Sequence, residues 1–258
     1  MRPIRQIIGT LLTVFLFLVA ASNAQQHVSP TPQRDSTGIS LIGQSLAAMG
    51  LVASPTLRTL AQGTITYADG QAQPLKIETA GVDRVRNDVG VNDFTFVTNS
   101  GAGFLVLDGT RQKLQAWMTA YKRADHLPSL SLMTEYLNPN LQVVDVGLEN
   151  VAGSQAHHLR LSMWIADPTW AQAEDLISEF HVWIDPVSLS VVKTRTFNFS
   201  PHALQNRSPI ETLYSDYRQQ QGALVPFHLT RYEGNQKESD IVFSSISLNA
   251  TVADSDFQ

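Results

Sequence analysis

From Leu57 to the C-terminus, apolar and polar residues alternate in short runs separated by turn residues. In QPLKIETAG, Leu75, Ile77 and Thr79 fall on one side and Lys76 and Glu78 on the other, and in NDFTFVTN, Phe94, Phe96 and Thr98 share a side. A period of two is the signature of a strand with one face buried. Asp69-Gly70, the stretch SGAG, Asp108-Gly109, Asp185-Pro186 and Glu233-Gly234-Asn235 punctuate the runs. Turns at roughly 8–12-residue spacing predict an antiparallel meander of roughly ten to twelve strands, not a βαβ series.

Three segments depart from this period. Between Ser36 and Met49 the apolar positions Ile39, Ile42, Leu46 and Met49 step by three and four, which predicts a helix capped by Ser36 or Thr37 and stopped at Gly50. Gly38 and Gly43 weigh against it. In Ala124–Leu137, Leu130, Met133 and Leu137 form a stripe widened by Leu127 and Tyr136, a second helix with Pro128 near its start and Asn138-Pro139 at its end. Pro168–Ile177 reads equally as a short helix or a loop. The run ETLYSDYRQQQGALVPFHL predicts a hairpin turning at Gly222, and Pro226, lacking an N–H, belongs near a strand start or on an open edge.

The N-terminus follows another logic. Arg2 and Arg5 precede an almost unbroken apolar run, Ile7 to Ala21, and Ser22-Asn23-Ala24 sets small residues where a signal peptidase cuts. About 15 apolar residues are short for a membrane span. Residues 1–24 are therefore expected to be a signal peptide, 25–37 a flexible polar leader, and 38–258 one domain. The chain has no cysteine, so an exported form must be held by its core alone and offers no acylation site at the cleavage point. The expected location is the bacterial periplasm. Loss of Arg2 and Arg5 takes the net charge from −5 to −7, which argues against nucleic acid as a partner, since phosphate binding needs clustered positive charge.

Candidate chemistry is sparse. No phosphate-binding, dinucleotide-binding, zinc-protease or nucleophile-elbow motif occurs, and thiol catalysis is excluded. His157 and His158 are adjacent, and on a strand they point to opposite faces, so one packs and one faces outward. Asp125-His126 suits a helix start. The expectation is a non-enzyme with no cofactor and no metal. The aromatic residues Trp117, Trp183, Phe197 and Phe199 fill a core or line an apolar hollow beneath the second helix, where Leu130, Met133 and Leu137 would face it. Methionine supplies an adaptable surface there.

Four stretches carry a resemblance: GVDRVRNDV (81–89), VGLENVAGSQAHHLRL (146–161), VWIDPVSLSVVKTRT (182–196) and YSDYRQQQGALVPFHL (214–229). The marks in the second are Gly147, Glu149, Val151, Gly153 and Ala156, and those in the fourth Asp216, Tyr217, Arg218, Gly222 and Pro226. In this order they resemble the LolA-like superfamily of outer-membrane lipoprotein-sorting proteins. The resemblance implies a mainly β (α+β) fold, a curved antiparallel sheet forming an incomplete β-barrel with helices covering the open side. It also implies a carrier for a hydrophobic ligand, a lipid or acyl chain, with an envelope protein as possible partner. Trp164–Glu179 and Ser200–Pro209 stand as insertions, and no basic ligand contact of the lipoprotein carriers matches a position here. Two other readings stay open: a non-catalytic interaction module with a filled core, and a hydrolase built near His126, His157 or His181.

Overall fold

A computed structural model describes residues 31–51, 57–81, 83–91, 94–115, 119, 127–128, 131–200 and 203–258. The expected signal peptide lies outside these residues, as do Trp117, His126 and Leu130. Helix α1 spans Ser36–Ala48. Asp35, not Ser36 or Thr37, caps it: its carboxylate accepts from the N–H groups of Thr37 (2.8 Å) and Gly38 (3.2 Å). At the far end Leu51 N–H reaches back to Leu46 O (2.8 Å), with Gly50 at φ +66°, a left-handed position that glycine takes without steric cost. Leu41, Ile42, Leu46 and Met49 are buried, while Ile39 is only partly so. Gly38 serves the packing of this helix. A Cβ there would come 2.9 Å from Val143 Cγ1, so the missing side chain lets α1 lie close on the sheet.

Among the described residues, thirteen antiparallel strands form one sheet. The first arm is β1 (Arg58–Tyr67), β2 (Ala72–Ala80), β3 (Arg84–Val89), β4 (Phe94–Asn99), β5 (Ala102–Leu107) and β6 (Thr110–Lys113). The second is β7 (Leu141–Val151), β8 (Ser154–Met163), β9 (Phe180–Ile184), β10 (Val191–Ser200), β11 (Ala203–Gln220), β12 (Ala223–Glu233) and β13 (Gln236–Leu248). The order is β6-β5-β4-β3-β2-β1-β13-β12-β11-β10-β9-β8-β7, so each arm is a meander and β1 pairs with β13 where they join. The sheet does not close, because β6 and β7 remain at opposite ends. Helix α2 (Ala171–Ser178) settles the ambiguous 168–177 stretch as helical. Short 3₁₀ turns lie at Leu132–Glu135 and Asp254–Phe257.

Two local features bear on the strand edges. The leader was expected to stay flexible to Thr37, yet residues 33–35 add to the β7 edge: Asp35 N–H donates to Val143 O (2.9 Å) and Val143 N–H to Gln33 O (2.8 Å). This covers part of an edge that would otherwise expose free backbone groups. Pro226, expected near a strand start or on an open edge, is the fourth residue of β12 and pairs with Tyr217 on one side. The β12–β13 ladder begins only at His228, and Leu224 N–H, two residues before the proline and on the same side, donates to Met49 O (2.7 Å). The proline thus sits where β12 has a helix end, not a strand, beside it, so no ladder bond is lost.

Candidate functional site

The two faces of the second arm have different chemistry. On the inner face, Leu159 and Leu161 of β8, Val182 and Ile184 of β9, and Val225 and Phe227 of β12 belong to one buried apolar cluster that also takes in β1–β3 and β13. The α1 residues Ile42, Leu46 and Met49 cover it from one side. Leu127, Leu132 and Met133, from the chain that crosses between the two sheet ends, complete it. Specific hydrogen bonds hold the covering segments. Ser45 Oγ donates to Leu189 O (2.7 Å). The Arg34 guanidinium donates to the carbonyls of Asn138 (2.6 Å), Leu141 (2.6 Å) and Tyr136 (2.9 Å), fixing the end of the 132–135 turn against the β7 edge.

The residues nominated from sequence divide between the faces. Met133 is fully buried in the inner cluster. Leu137 is not: it is 70% exposed. The stripe reading assumed an α-helix through 137, whereas Thr134 N–H bonds to Ser131 O and Tyr136 N–H to Met133 O, the tighter three-residue pattern. At about 120° per residue, positions four apart no longer share a side. Trp183 is fully buried but on the outer face, because alternation along β9 sends Phe180, Val182 and Ile184 inward. Phe197 meets the ring of His181 edge-on at 6.0 Å on that outer face, and Phe199 follows it by alternation on β10. Met133 and these three aromatic residues therefore do not line one hollow.

What sequence reasoning missed is the outer-face network around Trp183. Its indole N–H donates to Glu149 Oε2 (2.9 Å), and its ring stacks on His158 with centroids 4.1 Å apart. His158 Nδ1 lies 2.9 Å from Glu149 Oε1, His158 Nε2 lies 2.7 Å from His181 Nδ1, and His181 Nε2 lies 2.7 Å from Glu179 Oε1. Arg207 closes the far end on Glu179 Oε2 (2.7 Å). Burial alone would raise Glu179, but hydrogen bonds from His181 and Arg207 and the charges of Arg160 and Arg207 outweigh it and bring its pKa to about 2. Burial likewise pushes Glu149 up, and the bonds from Trp183 and His158 hold it below the usual carboxylate range. Burial, the largest influence on His158, holds it below an ordinary imidazole against the pull of Glu149. His158 is the packed member of the adjacent histidine pair. Its partner is not its neighbour His157 but His181, one strand away.

A second polar arrangement lies on β11–β13. Ser215 Oγ is 3.0 Å from His228 Nδ1, and His228 Nε2 is 3.4 Å from Asp240 Oδ1. Asp240 is committed to Lys237 and to Thr230 (2.8 Å), which leaves it a weak orienter of the imidazole. Ser215 lies on an exposed strand surface, paired with His228 across β11 and β12. Among the described residues, no group of three or more metal-ligating side chains is assembled.

No protein-family model and no curated protein matches this chain by sequence. Solved structures do match it in shape. A domain described as an outer membrane lipoprotein-sorting protein, from Vibrio parahaemolyticus, superposes with a TM-score of 0.53 at 10% identity, covering 86% of this chain and 96% of that one. A DUF1329 family protein from Desulfovibrio piger gives 0.53 at 12% identity, over 88% and 98% of the two chains. A LolA superfamily protein from Nitrosomonas europaea gives 0.49 at 10% identity, over 84% and 97%. The chain shares the fold of the first two of these structures, an open antiparallel sheet with helices laid on it.

Proposed function

We propose that this protein is an exported carrier, released into the periplasm after cleavage near Ala24, that binds a lipid or acylated protein. The ligand enters between the inner face of the sheet and the segments covering it. The observation that carries this reading is the inner-face cluster: one continuous apolar surface whose cover comes from α1 and from Leu127, Leu132 and Met133, not from paired strands. Side chains that only touch can be displaced by an acyl chain without breaking a ladder, and each buried CH₂ contributes about 0.8 kcal/mol. Met49 and Met133 give that surface the flexible, polarizable groups that repack around variable ligands. Met133 is the proposed ligand contact among the described residues. Trp117 and Leu130, on the same crossing segment, complete the proposed set.

Extraction of the purified protein with organic solvent, followed by mass spectrometry, tests this directly. The expected result is co-purified lipid near one molecule per chain, reduced when Met133→Lys places a charge on the cover. Absence of lipid, together with no uptake from vesicles, overturns it. Such a result would instead favour an interaction module with a filled interior, a reading that the complete burial of Ile42, Leu127 and Met133 supports.

A further inference from the structure

The four-residue chain on the outer face has a proton count that its geometry dictates. A carboxylate accepts hydrogen bonds and donates none, so His158 Nδ1 must carry a proton toward Glu149 and His181 Nε2 must carry one toward Glu179. The two remaining ring nitrogens, His158 Nε2 and His181 Nδ1, face each other at 2.7 Å. Two bare lone pairs repel at that distance, and two N–H groups collide. Only one proton between them makes a bond. We propose that His158 and His181 share a single proton, so that the pair carries one positive charge held between the carboxylates of Glu149 and Glu179.

The surroundings suit one charge and not two. Glu149 and Glu179 are both held ionised, which fixes them as acceptors. The Trp183 ring, nearly parallel to His158 at 11°, offers its π face to the cation. Against a second charge stand Arg160 on β8, 3.6 Å from Glu179, and Arg207 on β11. Lys193 and Arg195 on β10 lie over the Trp183 ring at 4.6 and 5.1 Å and are themselves paired with Glu211 of β11. From α2, Asp175 faces Arg160 at 2.7 Å. His158 and His181 are 5% and 8% exposed, whereas the Glu149 side chain is 46% exposed, so solvent reaches the chain from the Glu149 end.

This arrangement is a proton-operated tie across β7, β8, β9 and β11. In the unfolded chain both imidazoles titrate near about 6.5. Below that pH the unfolded chain binds two protons and the folded pair one, so acid favours unfolding of this region. Above it the unfolded chain binds none, so stability is lost again as pH rises through the value at which the folded pair gives up its shared proton. Glu149 sits on β7, the edge strand on which α1 rests, so either change loosens that edge.

Nitrogen NMR of the protein labelled at histidine, from pH 5 to 9, tests the assignment. The rings are identified by His158→Gln and His181→Asn, or through bonds in the parent protein should either variant not fold. At pH 7 the expected signature is three ring N–H protons over the two rings, with the bridging one strongly deshielded. The second proton is then expected to add below the range of an ordinary imidazole. Two N–H protons at pH 7, or two independent titrations, overturn the proposal. So does loss of the bridging signal on adding stoichiometric zinc with release of a proton, which would make the pair a metal site.

Discussion

Strands β8 and β9 present two faces built from alternate residues of the same few turns of chain. Inward, Leu159, Leu161, Val182 and Ile184 meet a cover that needs shape and apolarity only. Outward, His158, His181 and Trp183 meet partners fixed by distance and proton count. Dispersion and hydrophobic contact tolerate repacking, so the inner face can yield to a ligand. Buried hydrogen-bonded charges do not, because a lost partner leaves a desolvated group unpaired. The outer network thus ties one end of the sheet by specific bonds, while the opposite side of the same strands packs through apolar contact.

Truncating the outer anchor has the largest expected effect. Trp183→Ala removes a fully buried ring, its stacking on His158 and its bond to Glu149, and should cost about 4 kcal/mol. Leu159→Ala on the inner face should cost about 3 kcal/mol, by cavity formation alone. Denaturant unfolding from pH 5 to 8 separates the two kinds of loss. The leucine variant should shift the whole stability profile in parallel, whereas the tryptophan variant should also change its shape. Parallel shifts for both would erase the distinction between the faces.

The acid limb is the next test. Glu179 has a folded pKa of about 2, below the unfolded carboxylate, so its contribution is fully present above about pH 4.5 and is lost as pH falls toward 2. A shift of that size corresponds to roughly 3 kcal/mol at neutral pH. Glu179→Gln should therefore lower stability at pH 7 and flatten the curve below pH 4.5. An unchanged acid limb in that variant would place the acid sensitivity elsewhere.

Much of the inner face was legible in sequence because alternation is local. Leu75, Ile77 and Thr79 are buried, as their period requires, and the turns at Asp69-Gly70, Asp108-Gly109 and Asp185-Pro186 fall between strands. The outer network was hidden because it depends on register. His158 opposes Trp183, and His181 opposes Arg160, only once β8 and β9 are aligned across the α2 insertion. Glu149 stood out in the sequence as a mark of the fold, with no sign that it binds an indole and an imidazole. The cover was misjudged for another reason. Ser131 and Thr134 turn their hydroxyls back on the carbonyls of Pro128 and Ser131, both at 2.9 Å, a local competition that a hydrophobic stripe does not reveal.

Arg34 joins the leader to the cover, and its loss separates cover from sheet without touching either apolar surface. Arg34→Ala removes a charged donor from three carbonyls and should cost about 2 kcal/mol. Hydrogen exchange should rise first at Leu141 and Val143 on the β7 edge and in the 132–135 turn. Protection on β12 and β13 should stay as it was. Equal loosening everywhere would mean that the cover and the sheet unfold as one unit, and the displaceable cover would fall with it.

Leu137 gives the smallest and most discriminating effect. A helix running to 137 would bury it beside Met133, and Leu137→Ser would then cost about 3 kcal/mol, as other buried leucine truncations do. On the 3₁₀ turn it points to solvent, and the same change should alter stability by no more than about 0.5 kcal/mol. Lipid content should not change either, if the inner face alone holds the ligand. Near-neutral stability with lost lipid would show that the ligand extends past the turn to an exposed leucine, widening the proposed site beyond the covered cluster. Neutral stability with unchanged lipid confines the ligand to the surface that Met133 covers.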